Sequence, residues 1–262
     1  MTIHSGSLAI VTGATAGIGY AFATHLARRG HALLLISRNE SRLAEVAAEL
    51  GAAHGVSVRV LGADLSREAE IDRVAGQLSA EPDVGVLVNN AGFGTTGRLH
   101  ASDPAVQAAM VKLHTLAPMQ LTRAVLPAMV AAGRGWIINV SSIAGFTFSP
   151  GNVNYGSTKA YITRFSQALD TELAGSGVVV QALCPGFTHT EFHARARMDM
   201  QRVPRWVWMT ADQVVEASIR AAERGRPVVV IPGVLYGIIT ALLRFLPNGV
   251  MRWGSRVLKR DV

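Results

Sequence analysis

The chain has 262 residues, 49% of them apolar and 16% charged, which excludes a disordered or low-complexity protein and suffices for one large α/β domain. Cys184 is the only cysteine, so an intrachain disulfide is excluded and a reducing, cytoplasmic compartment is expected; the N-terminus lacks the pattern of a signal peptide. The formal charge of +7 lies largely at 195–205 and 244–260, away from any nucleic-acid motif. It therefore suits a solvated surface, or an anionic cofactor, lipid or substrate, and no nucleic-acid partner is expected.

Leu8 to Val11 is a short apolar run, the pattern of a strand buried on both faces. Thr12-Gly13-Ala14-Thr15-Ala16-Gly17-Ile18-Gly19 follows, then a helical pattern to Arg29. Glycines there allow a tight turn, and the helix start offers unpaired N–H groups to a pyrophosphate. Three residues between the first two glycines depart from the G-x-G-x-x-G fingerprint, and a plain strand–helix turn fits as well. His31 to Ile36 is the second strand, ending in Ser37-Arg38. An acidic residue at that end would take the ribose hydroxyls of NAD; Arg38 in its place predicts NADP. Glu40 belongs in the first turn of the next helix.

Val56 to Leu61 reads as the third strand, with Asp64 after it either bordering an adenine pocket or capping a helix from Ser66. The fourth, Val84 to Val88, closes in Asn89-Asn90-Ala91-Gly92. Ser102-Asp103-Pro104 is a helix start, and irregularities are expected at Pro118 and Pro127. Trp136 to Val140 precedes Ser141-Ser142; Val178 to Leu183 precedes Cys184-Pro185-Gly186; Pro227 to Ile231 is the seventh strand. The alternation implies a Rossmann-like doubly wound parallel sheet of about seven strands with helices on both faces. Gly13, Arg38, Asp64, Asn89, Ser142 and Gly186 then fall at the carboxyl ends of six strands, where such sheets bind ligands. In a helix over 153–174, Tyr155 and Lys159 are separated by ~400° and ~6 Å and share a face. An ammonium beside the phenol would lower its pKa and suit it to proton transfer.

Taken together, these motifs resemble the short-chain dehydrogenase/reductase family from Thr12 to about Ile231. The likeness rests on Thr12-Gly13-x-x-x-Gly17-x-Gly19, Asn89-Asn90-Ala91-Gly92, Ser142, Tyr155-x-x-x-Lys159 and Pro185-Gly186, and on the spacing from Ser142 to Tyr155. It implies an NADPH-dependent carbonyl reductase or alcohol dehydrogenase in which Tyr155 is the proton donor. Lys159 would bind the nicotinamide ribose and lower the Tyr155 pKa, and Ser142 would hydrogen-bond the substrate oxygen. The implied cofactor set is Gly13, Thr15, Gly17, Ile18, Gly19, Ser37, Arg38, Asp64, Leu65, Asn89, Ala91, Gly92, Tyr155, Lys159, Pro185, Gly186 and Thr188. Within it Arg38 takes the 2′-phosphate, Asp64 the adenine, Asn89 the adjoining ribose and Thr188 the nicotinamide amide. One departure is His114, where many members carry an Asn that completes a proton relay. An altered relay and a core histidine satisfied by one backbone contact are both open. A homodimer or homotetramer is expected.

Residues 1–232 read as the dinucleotide-binding catalytic domain, with 188–209 as a substrate lid and 233–262 as a helical extension of the same domain. The lid mixes Phe192, Met198, Met200, Trp206, Trp208 and Met209 with Arg195, Arg197, Arg202 and Arg205, which suits a bulky apolar ketone, aldehyde or secondary alcohol, or else plain packing on the sheet with the arginines in water. His189 and His193 lack a third ligand at motif spacing, so no metal is expected. Gly233 to Leu246 is apolar but short of the ~20 residues of a spanning helix. After it, Arg252, Arg256 and Lys259 share one face and Val250, Trp253 and Val257 another. This extension can contact a membrane peripherally, close the pocket or form an interface. The rivals to a reductase are a non-catalytic NADP-binding sensor, a membrane-surface interaction protein and, on a chain this short, a less fitting dehydratase or epimerase.

Overall fold

A computed structural model of the chain describes Ile3 and residues 6–148, 150–196, 198, 200 and 203–245. Its elements in order are β1 (Leu8–Thr12), α1 (Gly17–Ala27), β2 (Ala32–Ser37), α2 (Glu40–His54), β3 (Val58–Gly62), α3 (Glu68–Leu78) and β4 (Val84–Asn89). There follow α4 (Pro104–Val111), α5 (Ala117–Ala132), β5 (Gly135–Val140), α6 (Val153–Glu172), β6 (Val178–Leu183) and β7 (Thr188–His189). The chain continues through α7 (Phe192–Arg195), β8 (Met209–Thr210), α8 (Ala211–Glu223), β9 (Val229–Val230) and α9 (Val234–Phe245).

Seven parallel strands form one sheet in the order β3-β2-β1-β4-β5-β6-β9. Successive side chains of a strand point to opposite faces, so β1 divides its apolar run between two cores. Ala9 and Val11 meet Phe22 and Leu26 of α1, Val46 of α2 and Ile219 of α8 on one face. Leu8 and Ile10 join Val74 of α3, Val125 of α5 and Leu169 of α6 on the other. Both faces are therefore covered, which is why the strands read as apolar runs rather than alternating ones. β1 lies between β2 and β4, and the chain reverses its direction of winding there, opening a crevice at the carboxyl ends.

Several boundaries differ from those expected from sequence. α1 ends at Ala27, β3 starts at Val58, and β9 is two residues long. Asp64 does not cap a helix at Ser66: its carboxylate accepts from Ser66 N–H and hydroxyl in a turn, and α3 begins only at Glu68. Asp103 caps α4 through Ala105 N–H, with Pro104 in the first turn. Between α4 and α5 the helix widens into a π turn at Lys112–Leu116. The amphipathic segment inferred around Arg252, Arg256 and Lys259, and lid residues Arg197 and Arg202, lie outside the described residues.

Candidate active site

The glycine turn is held from two sides. Gly13 has φ of +66° and its N–H donates to Ile36 O, while a Cβ on Gly19 would collide with the Gly13 carbonyl oxygen. Asn90 Nδ2 donates to Thr12 O and Gly13 O, and Thr12 Oγ1 accepts from Asn90 and Ala91 N–H. The end of β4 thus pins the loop after β1. The first turn of α1 has no side-chain cap and no acidic residue, leaving its N–H groups for an anion.

On the adenosine side Arg38 is exposed, in no ion pair or hydrogen bond among the described residues. Burial pulls the Asp64 carboxyl up, but its Ser66 bonds and the Arg38 and Arg67 charges outweigh that and hold it below its ordinary value. Thr15 Oγ1 lies 3.4 Å from Ser37 Oγ. Asn89 gives its Nδ2 hydrogens to Thr122 and Asn139, while its buried Oδ1 has no partner. That orphaned acceptor matches a ribose hydroxyl donor. With the glycine turn, these residues fit a bound dinucleotide.

Ser142, Tyr155 and Lys159 meet at the carboxyl end of β5. The Ser142 hydroxyl neighbours the Tyr155 phenol and accepts from Ala144 N–H. Lys159 Nζ lies 5.6 Å from the Tyr155 ring centre and donates to Val140 O at 2.8 Å. The expected lowering of the phenol by this ammonium is overturned. Burial pushes Tyr155 up to about 12 against the opposing influence of the Ser142 hydroxyl, and pushes Lys159 down to about 8. The ammonium sits over the ring face and bonds a carbonyl, so desolvation wins over their attraction. Ser141 Oγ turns inward to Lys159 O and Thr163, a structural part.

His114 occupies the π turn, buried, with its ring edge-on to Tyr155 at 5.7 Å. Phe93 N–H donates to its Nε2, so the ring proton sits on Nδ1 and donates to Thr158 Oγ1, which in turn donates to Tyr155 O. Burial, with the Lys159 charge behind it, holds the imidazole well below its ordinary pKa. The histidine therefore has two partners rather than one backbone contact, and is neutral.

An aromatic wall runs from the phenol into the lid. Phe192 lies 5.6 Å from the Tyr155 ring, His193 packs edge-on to Phe192, and Trp208 contacts His193 and stacks on His189. Among the described residues no cluster of three His, Cys, Asp or Glu could hold a metal. Thr188 Oγ1 donates to Gly186 O beside the crevice.

A model of the family described as short chain dehydrogenase matches residues 7–201. The chain belongs to the short-chain dehydrogenase/reductase family. A very-long-chain 3-oxoacyl-CoA reductase of Danio rerio is 32% identical over 95% of this chain and 74% of the relative. The inactive hydroxysteroid dehydrogenase-like protein 1 of Homo sapiens is 29% identical over 98% of this chain and 77% of its own. Among solved structures, a short-chain dehydrogenase from Sphingobium yanoikuyae in complex with NADPH has a TM-score of 0.82 at 35% identity, covering 92% of this chain and 97% of its own. The bulky-bulky ketone specific alcohol dehydrogenase of Comamonas testosteroni has a TM-score of 0.79 at 30% identity, with 94% and 96% covered. Short-chain dehydrogenases act mostly on CH–OH and C=O groups with NAD(P), and some relatives of this chain are inactive.

Two contributors to this short-chain dehydrogenase site, Asn90 and Tyr236, were missed from sequence. Asn90 carries the glycine loop, although it stands in the quoted Asn89-Asn90-Ala91-Gly92 run. Phe192, expected in the lid, walls the phenol. Tyr236 of α9 lies over Gly186, accepts from Phe187 N–H and donates to Val207 O. No local pattern signals Tyr236, because its partners are about 30 to 50 residues distant in sequence.

Proposed function

We propose that this chain is an NADPH-dependent reductase of bulky apolar ketones or aldehydes, oxidising the matching secondary alcohols in reverse. The observation that carries it is the Ser142–Tyr155 hydroxyl pair set against the Phe192 wall. Tyr155, pushed up to about 12, keeps its proton at neutral pH and donates it to the carbonyl oxygen as charge develops there. Ser142 receives the Ala144 N–H on its oxygen, so its hydroxyl hydrogen is free to point at the same substrate oxygen. Lys159, poised near 8, supplies part of a positive charge behind the phenol and a donor for a ribose hydroxyl. When bound, NADPH supplies the hydride.

Arg38, Gly13, Gly17 and Gly19 would hold its phosphates, and Asn89 its ribose. The preference for NADPH is supported by Arg38 at the end of β2 and by the NADPH-bound Sphingobium structure. Bulk and apolarity are supported by the aromatic lid and the Comamonas enzyme. Rings beside the phenol limit its contact with water, and hydrogen bonds to a developing charge strengthen in such surroundings.

The test follows NADPH absorbance over a panel from small polar carbonyls to bulky aryl and long-chain ketones. Turnover concentrated in the bulky apolar members is expected; turnover of small polar carbonyls alone would overturn the substrate class. A second reading, a non-catalytic NADP-binding protein, is favoured by the inactive human relative. No turnover of any carbonyl, together with retained NADPH binding, would favour it.

A further inference from the structure

Residues 224–260 contain seven basic side chains and no acidic one, whereas residues 1–223 carry 18 basic against 17 acidic. The chain's excess charge is therefore gathered at its C-terminal end, in the stretch that contains α9.

α9 has two unlike faces. Tyr236 and Thr240 point inward, 5% and 1% exposed. Two residues further on, ~200° around the helix, is the opposite side. There Val234, Ile238 and Leu242 recur every four residues, 81%, 55% and 62% exposed. The stripe continues onto the lid, because Val234 and Trp206, the latter 73% exposed, line the same groove. Exposed apolar side chains gathered along one helix face and beside Trp206, in a groove that Gln213, Glu216 and Arg220 also line, mark a binding surface rather than scattered exposure.

We propose that this surface docks on an anionic lipid bilayer, with α9 and Trp206 in the headgroup region and the basic excess of this part of the sequence attracting it to the lipid charge. Three observations favour that occupant. The twelve residues of α9 span ~18 Å, short of the ~30 Å hydrocarbon core, so the helix can lie on a membrane but not cross it. No described helix is long and apolar enough to cross. The basic excess that accompanies the stripe in the sequence complements anionic headgroups, whereas a second copy would bring like charge to like. Tyr236 ties the buried side of the same helix to Phe187 and Val207, so docking would take place at the rim of the lid.

The experiment is co-sedimentation of the full chain with vesicles of phosphatidylcholine alone or mixed with phosphatidylglycerol, at low and high salt. Pelleting is expected with the anionic vesicles only, weakened by salt, with a blue shift of tryptophan emission. The double variant Ile238→Glu, Leu242→Glu, at exposed positions and checked for an unchanged melting curve, should lose about tenfold in vesicle affinity. Negligible pelleting of the wild type with both vesicles overturns the proposal, as does equal pelleting with both. If the double variant does not fold, those wild-type comparisons still decide. Undiminished binding of the folded double variant, or a wild-type dimer that it dissociates without vesicle binding, overturns the proposal too. Binding is read without turnover, so the result is independent of the proposed reaction.

Discussion

Lys159 reaches under the Tyr155 ring to donate to Val140 O at 2.8 Å, its Nζ 5.6 Å from the ring centre. The lysine is thus anchored to the last carbonyl of β5, buried, with its pKa pushed down to about 8. A group depressed on folding costs stability wherever the unfolded chain is protonated. The cost is absent above the ordinary 10.5 and grows as pH falls through 8. At ~1.4 kcal/mol per unit, and after losing the Val140 bond, Lys159→Met should gain about 1–3 kcal/mol at pH 7. Denaturant melts of both proteins at pH 7 and pH 10.5 check this: the gain should shrink at the higher pH, and carbonyl reduction should be lost at both.

The same value sets the pH profile of reduction. If the Lys159 charge assists proton donation, kcat/KM falls as pH rises through about 8, and not near the 12 of Tyr155. A profile flat to pH 10 would remove Lys159 from the step.

His114 supplies no acid limb. Its depressed pKa keeps it neutral, so rates should be level between pH 5.5 and 7, while its contribution to stability declines below the ordinary 6.5 as the unfolded chain takes up a proton. His114→Leu leaves Phe93 N–H and Thr158 without their partners and should cost about 1–3 kcal/mol. An unshifted alkaline limb in that variant would mark His114 as positioning the Tyr155 ring; a shifted one would return it to a proton relay.

Arg38→Ala should raise the KM for NADPH at least about tenfold while leaving that for NADH unchanged, since only the 2′-phosphate loses its partner. Initial rates with each cofactor measure it, and equal effects on both would remove the NADP argument.

Tyr236→Phe keeps the ring over Gly186 but drops both hydrogen bonds, to Phe187 and Val207. A looser lid should raise the KM for bulky ketones more than it lowers kcat, at a stability cost of about 1–2 kcal/mol.

The sheet was legible because strands covered on both faces must be apolar throughout, and each runs into a polar or glycine turn at the same edge. Gly13, Asn89 and Ser142 could therefore be placed without coordinates. The Tyr155–Lys159 pairing followed from helical spacing alone. What spacing cannot carry is burial: the direction of the Tyr155 shift depends on how completely the phenol leaves water, and that is settled by Phe192 and His114 arriving from distant segments. The π turn at His114 and the Tyr236 bonds are likewise tertiary, with no local residue pattern to announce them.

The central claim is that Tyr155 delivers the proton during NADPH-dependent reduction, and the most direct measurement compares wild type with Tyr155→Phe on one bulky apolar ketone at saturating NADPH. Loss of at least about a hundredfold in kcat, with NADPH affinity kept, is expected. A Tyr155→Phe enzyme that reduces the ketone at the wild-type rate would contradict it.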